Sequence, residues 1–240
     1  MNPSTKFLTV IITAFALGLP ATLFAGTFSD NFSTGLNPTY WTVSQTSPGV
    51  YTEDHTHGDV RFAKVASTSG LQSIQVALNM SAVGGPIAGD FSMQIDFSNA
   101  IIGPGVDQVE FHSNFADSSF FFDVYDNSSG TNVHVWNGSI NGTTSVSATA
   151  GTFSIARTGS TLTGYFNGSA IFSETNTSTL NATEFILQNQ PSGANDTPSV
   201  TYDNFSLTAA SVVPEPSIMV CLVAGIPIFG LFQRFRRRSA

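Results

Sequence analysis

Residues 153–174 read FSIARTGSTLTGYFNGSAIFSE. The stretch splits into three strands at two tight turns, Gly159-Ser160 and Asn167-Gly168. Asn-Gly is the strongest short hairpin signal, because both residues tolerate the positive φ that the turn needs. The same grammar recurs upstream. In GDFSMQIDFS (89–98), Phe91, Met93, Ile95 and Phe97 fall on one face of a strand, and Ser92, Gln94 and Asp96 on the other. DQVEFHSNF (107–115) sets Val109 and Phe111 against Glu110 and His112. Such segments, divided by Gly, Asn, Ser and Pro, recur along the middle of the chain without helical periodicity. A dozen or more strands at this spacing predict an all-β antiparallel sandwich. The absence of a fixed-length repeat counts against solenoids and propellers.

Neither end of the chain fits that pattern. Residues 1–25 carry Lys6, an apolar stretch from Phe7 to Leu19, Pro20 and then PATLFAG, which reads as a secretory signal peptide cut by signal peptidase after Ala25. At the other end, Pro214-Glu215-Pro216 precedes a charge-free run from Ile218 to Phe232, within a helix expected over about 217–233. That run would reach only roughly 22 Å at about 1.5 Å per residue, short of the ~30 Å hydrocarbon core, and Pro227 weakens it. Arg234, Arg236, Arg237 and Arg238 follow and favour the cytoplasmic side.

This order of parts resembles the PEP-CTERM sorting signal of Gram-negative bacteria. The resemblance rests on Pro214, Glu215, Pro216, the hydrophobic helix and Arg236, Arg237 and Arg238. It implies transient anchoring in the inner membrane, removal of the tail by an exosortase, and delivery to the cell surface, outer membrane or an extracellular, exopolysaccharide-rich matrix. An ordinary C-terminal membrane anchor is the alternative. The expected division is a signal peptide at 1–25, a β-sandwich at 26–211 and a sorting signal at 212–240.

Removing both ends changes the electrostatics. Only Arg61, Lys64 and Arg157 remain, against 15 carboxylates, for a net charge of about −12. A nucleic-acid duplex would be repelled by such a domain. Cys221, the one cysteine, lies in the tail, so the domain has no disulfide and relies on burial.

The middle domain resembles the concanavalin A-like (laminin G-like) jelly rolls. FSDNFSTGLNPTYW (28–41) and VTYDNFSLTA (200–209) resemble their first and last strands, and IARTGSTLTGYFNG (155–168) one of their hairpins. Lectins, carbohydrate-binding modules, glycosidases and adhesion domains share this fold, so function does not follow from it.

Glycosidases of this fold carry a Glu-x-Asp-x-Glu pattern that puts carboxylates on one face of one strand. No stretch here has it; Glu110-x-His112 comes nearest, and Asp123 stands alone beside Tyr125, although strands could converge. No Gly-x-Ser-x-Gly elbow occurs. His55, His57 and Asp59 could share a strand face and hold zinc, or lie in a solvated loop. A structural calcium is the one cofactor expected, with Asp30 and Asp203 as ligands, unless Asp203 faces solvent or caps a turn.

If residues 91–97, 107–115, 119–125 and 131–136 are neighbouring antiparallel strands, one face displays Glu110, His112, Phe121, Asp123, Tyr125, His134 and Trp136. Aromatic planes beside acceptors suit a sugar, whose ring stacks while its hydroxyls find partners. The competing reading buries that face under a loop or second layer. The expectation is therefore an exported, non-catalytic sandwich that binds glycan or another matrix component. A polysaccharide-acting hydrolase or lyase is the alternative, and a structural protein without ligand a further one.

Overall fold

Strands with one apolar face need a second layer to cover it, and this chain supplies one in two packed sheets. The computed structural model describes residues 26–210, apart from 68–69, 104–107, 128–129, 139–140, 147–148 and 190–195. The signal peptide with Ala25 and the sorting signal with Pro214, Glu215, Pro216, Arg236, Arg237 and Arg238 lie outside the described residues. Among those residues, no helix is long and apolar enough to cross a membrane.

Fifteen strands follow one another in the described residues. They are β1 (Gly26–Asp30), β2 (Trp41–Gln45), β3 (Tyr51–Asp54), β4 (Val60–Lys64) and β5 (Gln72–Leu78). Next come β6 (Phe91–Ile101), β7 (Gln108–Phe115), β8 (Ser119–Asn127), β9 (Gly130–Trp136) and β10 (Asn141–Ser145). The last are β11 (Gly151–Thr158), β12 (Thr161–Phe166), β13 (Ser169–Thr175), β14 (Leu180–Asn189) and β15 (Ser199–Ala209). One sheet runs β13-β12-β11-β6-β15-β4-β3, with β1 also on β15; the other runs β10-β9-β8-β7-β14-β5-β2. All pairings are antiparallel. The expected sandwich is therefore the observed one.

The deciding stretch folds as read. Strands β11, β12 and β13 form consecutive hairpins, with Gly159 at φ 60° in the first turn and Asn167 and Gly168 at φ 50° and 77° in the second. The two stretches taken as first and last strands also meet, Phe28 opposite Leu207. They converge on Trp41, whose ring stands edge-on to Phe205 at 5.1 Å. Between the sheets Phe120, Phe122, Phe153, Phe185 and Tyr202 are all buried. At Gly164 the packing leaves no room for a side chain, since a Cβ would meet Phe122 Cζ at 2.3 Å.

One neighbourhood differs from expectation. Strands β7, β8 and β9 are adjacent, but β6 joins the opposite sheet, between β11 and β15. Its four inward residues, Phe91, Met93, Ile95 and Phe97, are buried. Six residues separate β6 from β7, more than the two-residue turn that would pair them as a tight hairpin.

Candidate active site

On β7, Val109, Phe111, Ser113 and Phe115 face the core, so Gln108, Glu110 and His112 take the other face. On β8, Phe120, Phe122 and Val124 turn inward, which leaves Phe121, Asp123 and Tyr125 outward. Strand β9 repeats the division, with Val133 and Val135 in the core and His134 and Trp136 opposite.

Register then assembles rows across strands. Asp123 lies directly opposite Glu110 on one side and His134 on the other. One step along, Phe121 lies between His112 and Trp136, and β14 sets Glu184 beyond His112. Directly opposite residues of an antiparallel pair hold their Cβ atoms about 4.5–5.5 Å apart. The outcome is a pocket of about 320 Å³ lined by Gln108, Glu110, His112, Phe121, Asp123, His134, Trp136 and Gln188.

Floor and rim differ in exposure. Glu110 and Asp123 are 2 % and 0 % exposed, whereas Trp136 is 38 % exposed. The Phe121 ring stacks on His112 at 4.8 Å and leans on Trp136 at 4.7 Å. Tyr125 borders the pocket, edge-on to His134 at 5.7 Å. Among the described residues, neither a covering loop nor a second layer buries these aromatics.

Hydrogen bonds hold the carboxylates in place. Glu110 Oε2 accepts from His112 Nε2, and His112 Nδ1 lies 3.6 Å from Glu184 Oε1. Asp123 Oδ2 accepts from Gln108 Nε2 at 2.8 Å and faces His134 Nδ1 at 3.3 Å. Glu110 Oε1 and Asp123 Oδ1 are buried with no hydrogen-bond partner among the described residues. Tyr202, from the opposite sheet, pins the Glu110 backbone: its hydroxyl accepts from the Glu110 amide at 3.2 Å and reaches Ile186 O at 2.5 Å.

Burial raises both carboxyls. For Glu110 the hydrogen bond from His112 opposes the rise, and for Asp123 His134 and then His112 do so. His112 moves the other way from a buried imidazole: burial pulls it down, yet hydrogen bonds to Glu110 and Glu184 carry it to about 9. The same contact lowers Glu184. The folded protein thus holds the His112 proton more tightly than the unfolded chain. That contribution to stability is full below pH 6.5 and is lost as pH rises through about 9. Melting wild type and His112→Gln across this window should show their midpoints converging toward alkaline pH. A constant gap would remove His112 from the account.

The other candidate residues go elsewhere. Asp30 accepts from the Phe32 amide at 2.7 Å and from the Trp41 indole at 2.8 Å. Asp203 accepts from the Asn204 amide at 2.6 Å, and burial raises its carboxyl, with Asp59, Asp96 and Asp30 adding to the rise. The residues of HTHGD do not converge: His55 pairs with Glu53, His57 with Asp54 and Arg61 with Asp59. Among the described residues no group of three or more His, Cys, Asp or Glu is placed to hold a metal ion. Three residues of the site escaped sequence reasoning: Gln108, Glu184 and Gln188. The last two alternate with Phe185 and Leu187 on β14, but Ile186 shares their face and blurs the pattern.

No protein-family model and no curated protein matches the chain. Solved structures do. A Crh5 transglycosylase in complex with NAG is 14 % identical over 80 % of this chain and 87 % of its own, at a TM-score of 0.57. The alginate lyase from Corynebacterium sp. is 13 % identical over 72 % and 95 %, at 0.55. A Bacillus licheniformis β-glucanase is 11 % identical over 77 % and 98 %, at 0.52. The domain is a concanavalin A-like jelly roll.

On that fold the expectation of a non-catalytic domain does not stand. The jelly rolls it superposes on are mostly named as glycan-acting enzymes. A Glu-x-Asp-x-Glu pattern would place its carboxylates along one strand. Here Glu110, Asp123 and Glu184 come from three adjacent strands, β7, β8 and β14, where only register brings them together.

Proposed function

We propose that this jelly roll is an exported enzyme acting on polysaccharide, as a glycoside hydrolase or lyase, with Glu110 and Asp123 as its reacting carboxyls. The observation that carries this reading is the pair itself: two buried carboxyls, opposite in register, each with one oxygen unpartnered, at the floor of an aromatic-rimmed pocket. Two such groups side by side disfavour each other's ionised form, and burial raises both. A protonated carboxyl beside an ionised one is the equipment for general acid and base work on one glycosidic bond. His112 and Glu184 orient Glu110; Gln108 and His134 orient Asp123. The test is incubation of the purified protein with a panel of polysaccharides, reading new reducing ends and new unsaturated uronates. Absence of both with every polymer that the protein binds would overturn the reading.

Substrate is held by the rim. Trp136 offers an open ring beside Phe121, and stacking of this kind contributes roughly 1–3 kcal/mol per ring, by analogy with base stacking. Trp136→Ala is therefore expected to weaken polysaccharide retention about tenfold or more, since each ~1.4 kcal/mol is a factor of ten. Its melting midpoint should stay within a few degrees, because the side chain is partly exposed. Unfolding of this variant would make Trp136 a structural residue.

Export is proposed from the termini. A signal peptide through Ala25 would start it, and the PEP-CTERM-like tail would pause the protein in the inner membrane until exosortase removes residues from about Pro214. Intact mass of protein released by its native host decides this. A chain that still carries Arg236, Arg237 and Arg238 in cells with a working exosortase would sink it.

A further inference from the structure

We infer that the polysaccharide taken by this pocket carries no carboxylate, sulfate or phosphate, and that it offers hydroxyls or amines to Glu110 and Asp123. This inference rests on the enzyme reading above and narrows it to the hydrolase, since the elimination that yields unsaturated uronates needs a carboxylate on the polymer. The domain from 26 to 211 has three Lys or Arg side chains, and none lines the pocket. Lys64 is 3 % exposed and donates to Asn189 Oδ1 at 2.6 Å. Arg157 is 2 % exposed and holds the carbonyls of Ile87, Gly89 and Ser178. Arg61 pairs with Asp59 at 2.8 Å.

The pocket's imidazoles are committed as well. His112 sits between Glu110 and Glu184, and His134 faces Asp123. An acidic polymer would bring a charge to every acidic repeat and find the acidic side chains of Glu110 and Asp123 with no uncommitted cation beside them. It would also meet the field of a domain near −12 before it arrived. A hydroxyl or amine meets the opposite situation. Glu110 Oε1 and Asp123 Oδ1 are buried acceptors without donors among the described residues, and a buried polar atom left unpaired is costly. A donor-bearing sugar satisfies both.

Affinity electrophoresis of the full chain through gels containing a neutral β-glucan, chitosan or alginate tests this independently of turnover, and a reducing-end assay runs beside it. Retardation is expected with the glucan or with chitosan, and none with alginate even at low salt. Loss of retardation as salt rises would assign the donors to amines, and indifference to salt would assign them to hydroxyls. Retardation or cleavage of alginate overturns the inference and leaves the enzyme reading intact. Retardation by glucan or chitosan without cleavage overturns the enzyme reading and leaves the inference intact. Retardation by none of the three overturns both.

Discussion

Asp123→Asn and Glu110→Gln are each expected to lower polysaccharide turnover by about 10²–10⁴-fold, the range associated with loss of a general acid or base. Each replacement keeps the shape of the side chain and removes its ability to exchange a proton. For Asp123→Asn the fold should hardly notice, because burial already drives that carboxyl toward its neutral form and a neutral amide resembles the protonated group it replaces. Glu110→Gln also removes the charge whose contact raises His112, so its melting midpoint is expected to fall where His112 is protonated and to approach wild type at alkaline pH. The decisive measurement combines kcat with thermal melting. A variant that stays folded and turns over polysaccharide like wild type would show that the pair does not react. Equal loss from Thr42→Ala, exposed on β2 of the same sheet and outside the pocket lining, would point to general damage instead.

The second large effect concerns stability. Arg157→Ala should cost about 3–5 kcal/mol, since a buried carbonyl that loses its donor costs about 1–3 kcal/mol and three lose a donor here. Residues Phe153, Ile155 and Arg157 share the inward face of β11, so the guanidinium closes the end of the core. It donates from Nε to Gly89 O at 3.0 Å and from its terminal nitrogens to Ile87 O and Ser178 O, while its carbon lies 5.1 Å from the Phe91 ring centre. Two loops that are distant in the chain, before β6 and before β14, are fastened by this one side chain. Truncation leaves their carbonyls without donors and opens a cavity beside Phe91. Denaturant unfolding of wild type, Arg157→Ala and Arg157→Lys measures it. The lysine variant should fall between the others, because it keeps the charge but not the fork of donors. A loss below about 1 kcal/mol would place Arg157 among ordinary surface cations.

Much of the architecture is local information. The turns at Gly159-Ser160 and Asn167-Gly168 are written in residues that accept positive φ, and β11, β12 and β13 follow from them without reference to the rest of the chain. Alternation on β7, β8 and β9 likewise assigns each side chain to a face, because the period of a strand is two. This is why Glu110, His112, Phe121, Asp123, Tyr125, His134 and Trp136 could be grouped before any coordinates. What alternation leaves open is which strands are neighbours and whether their outward face is covered. Strand β6 shows the first gap, since its pattern suits either sheet and only its pairing with β11 and β15 puts it in the opposite one.

The chemistry depended on that second kind of information. Amino-acid order by itself determined an all-β domain without disulfides, its acidity, its hairpins and the face on which each outward residue stands. Only the tertiary structure decided that Glu110 and Asp123 lie opposite each other, that Glu184 arrives from a strand some seventy residues away to hold His112, and that both carboxyls sink to the floor while Trp136 stays at the rim. The reason is physical. Side-chain direction follows from backbone geometry within a few residues, whereas register between distant strands and the burial it creates are set by how the whole core packs.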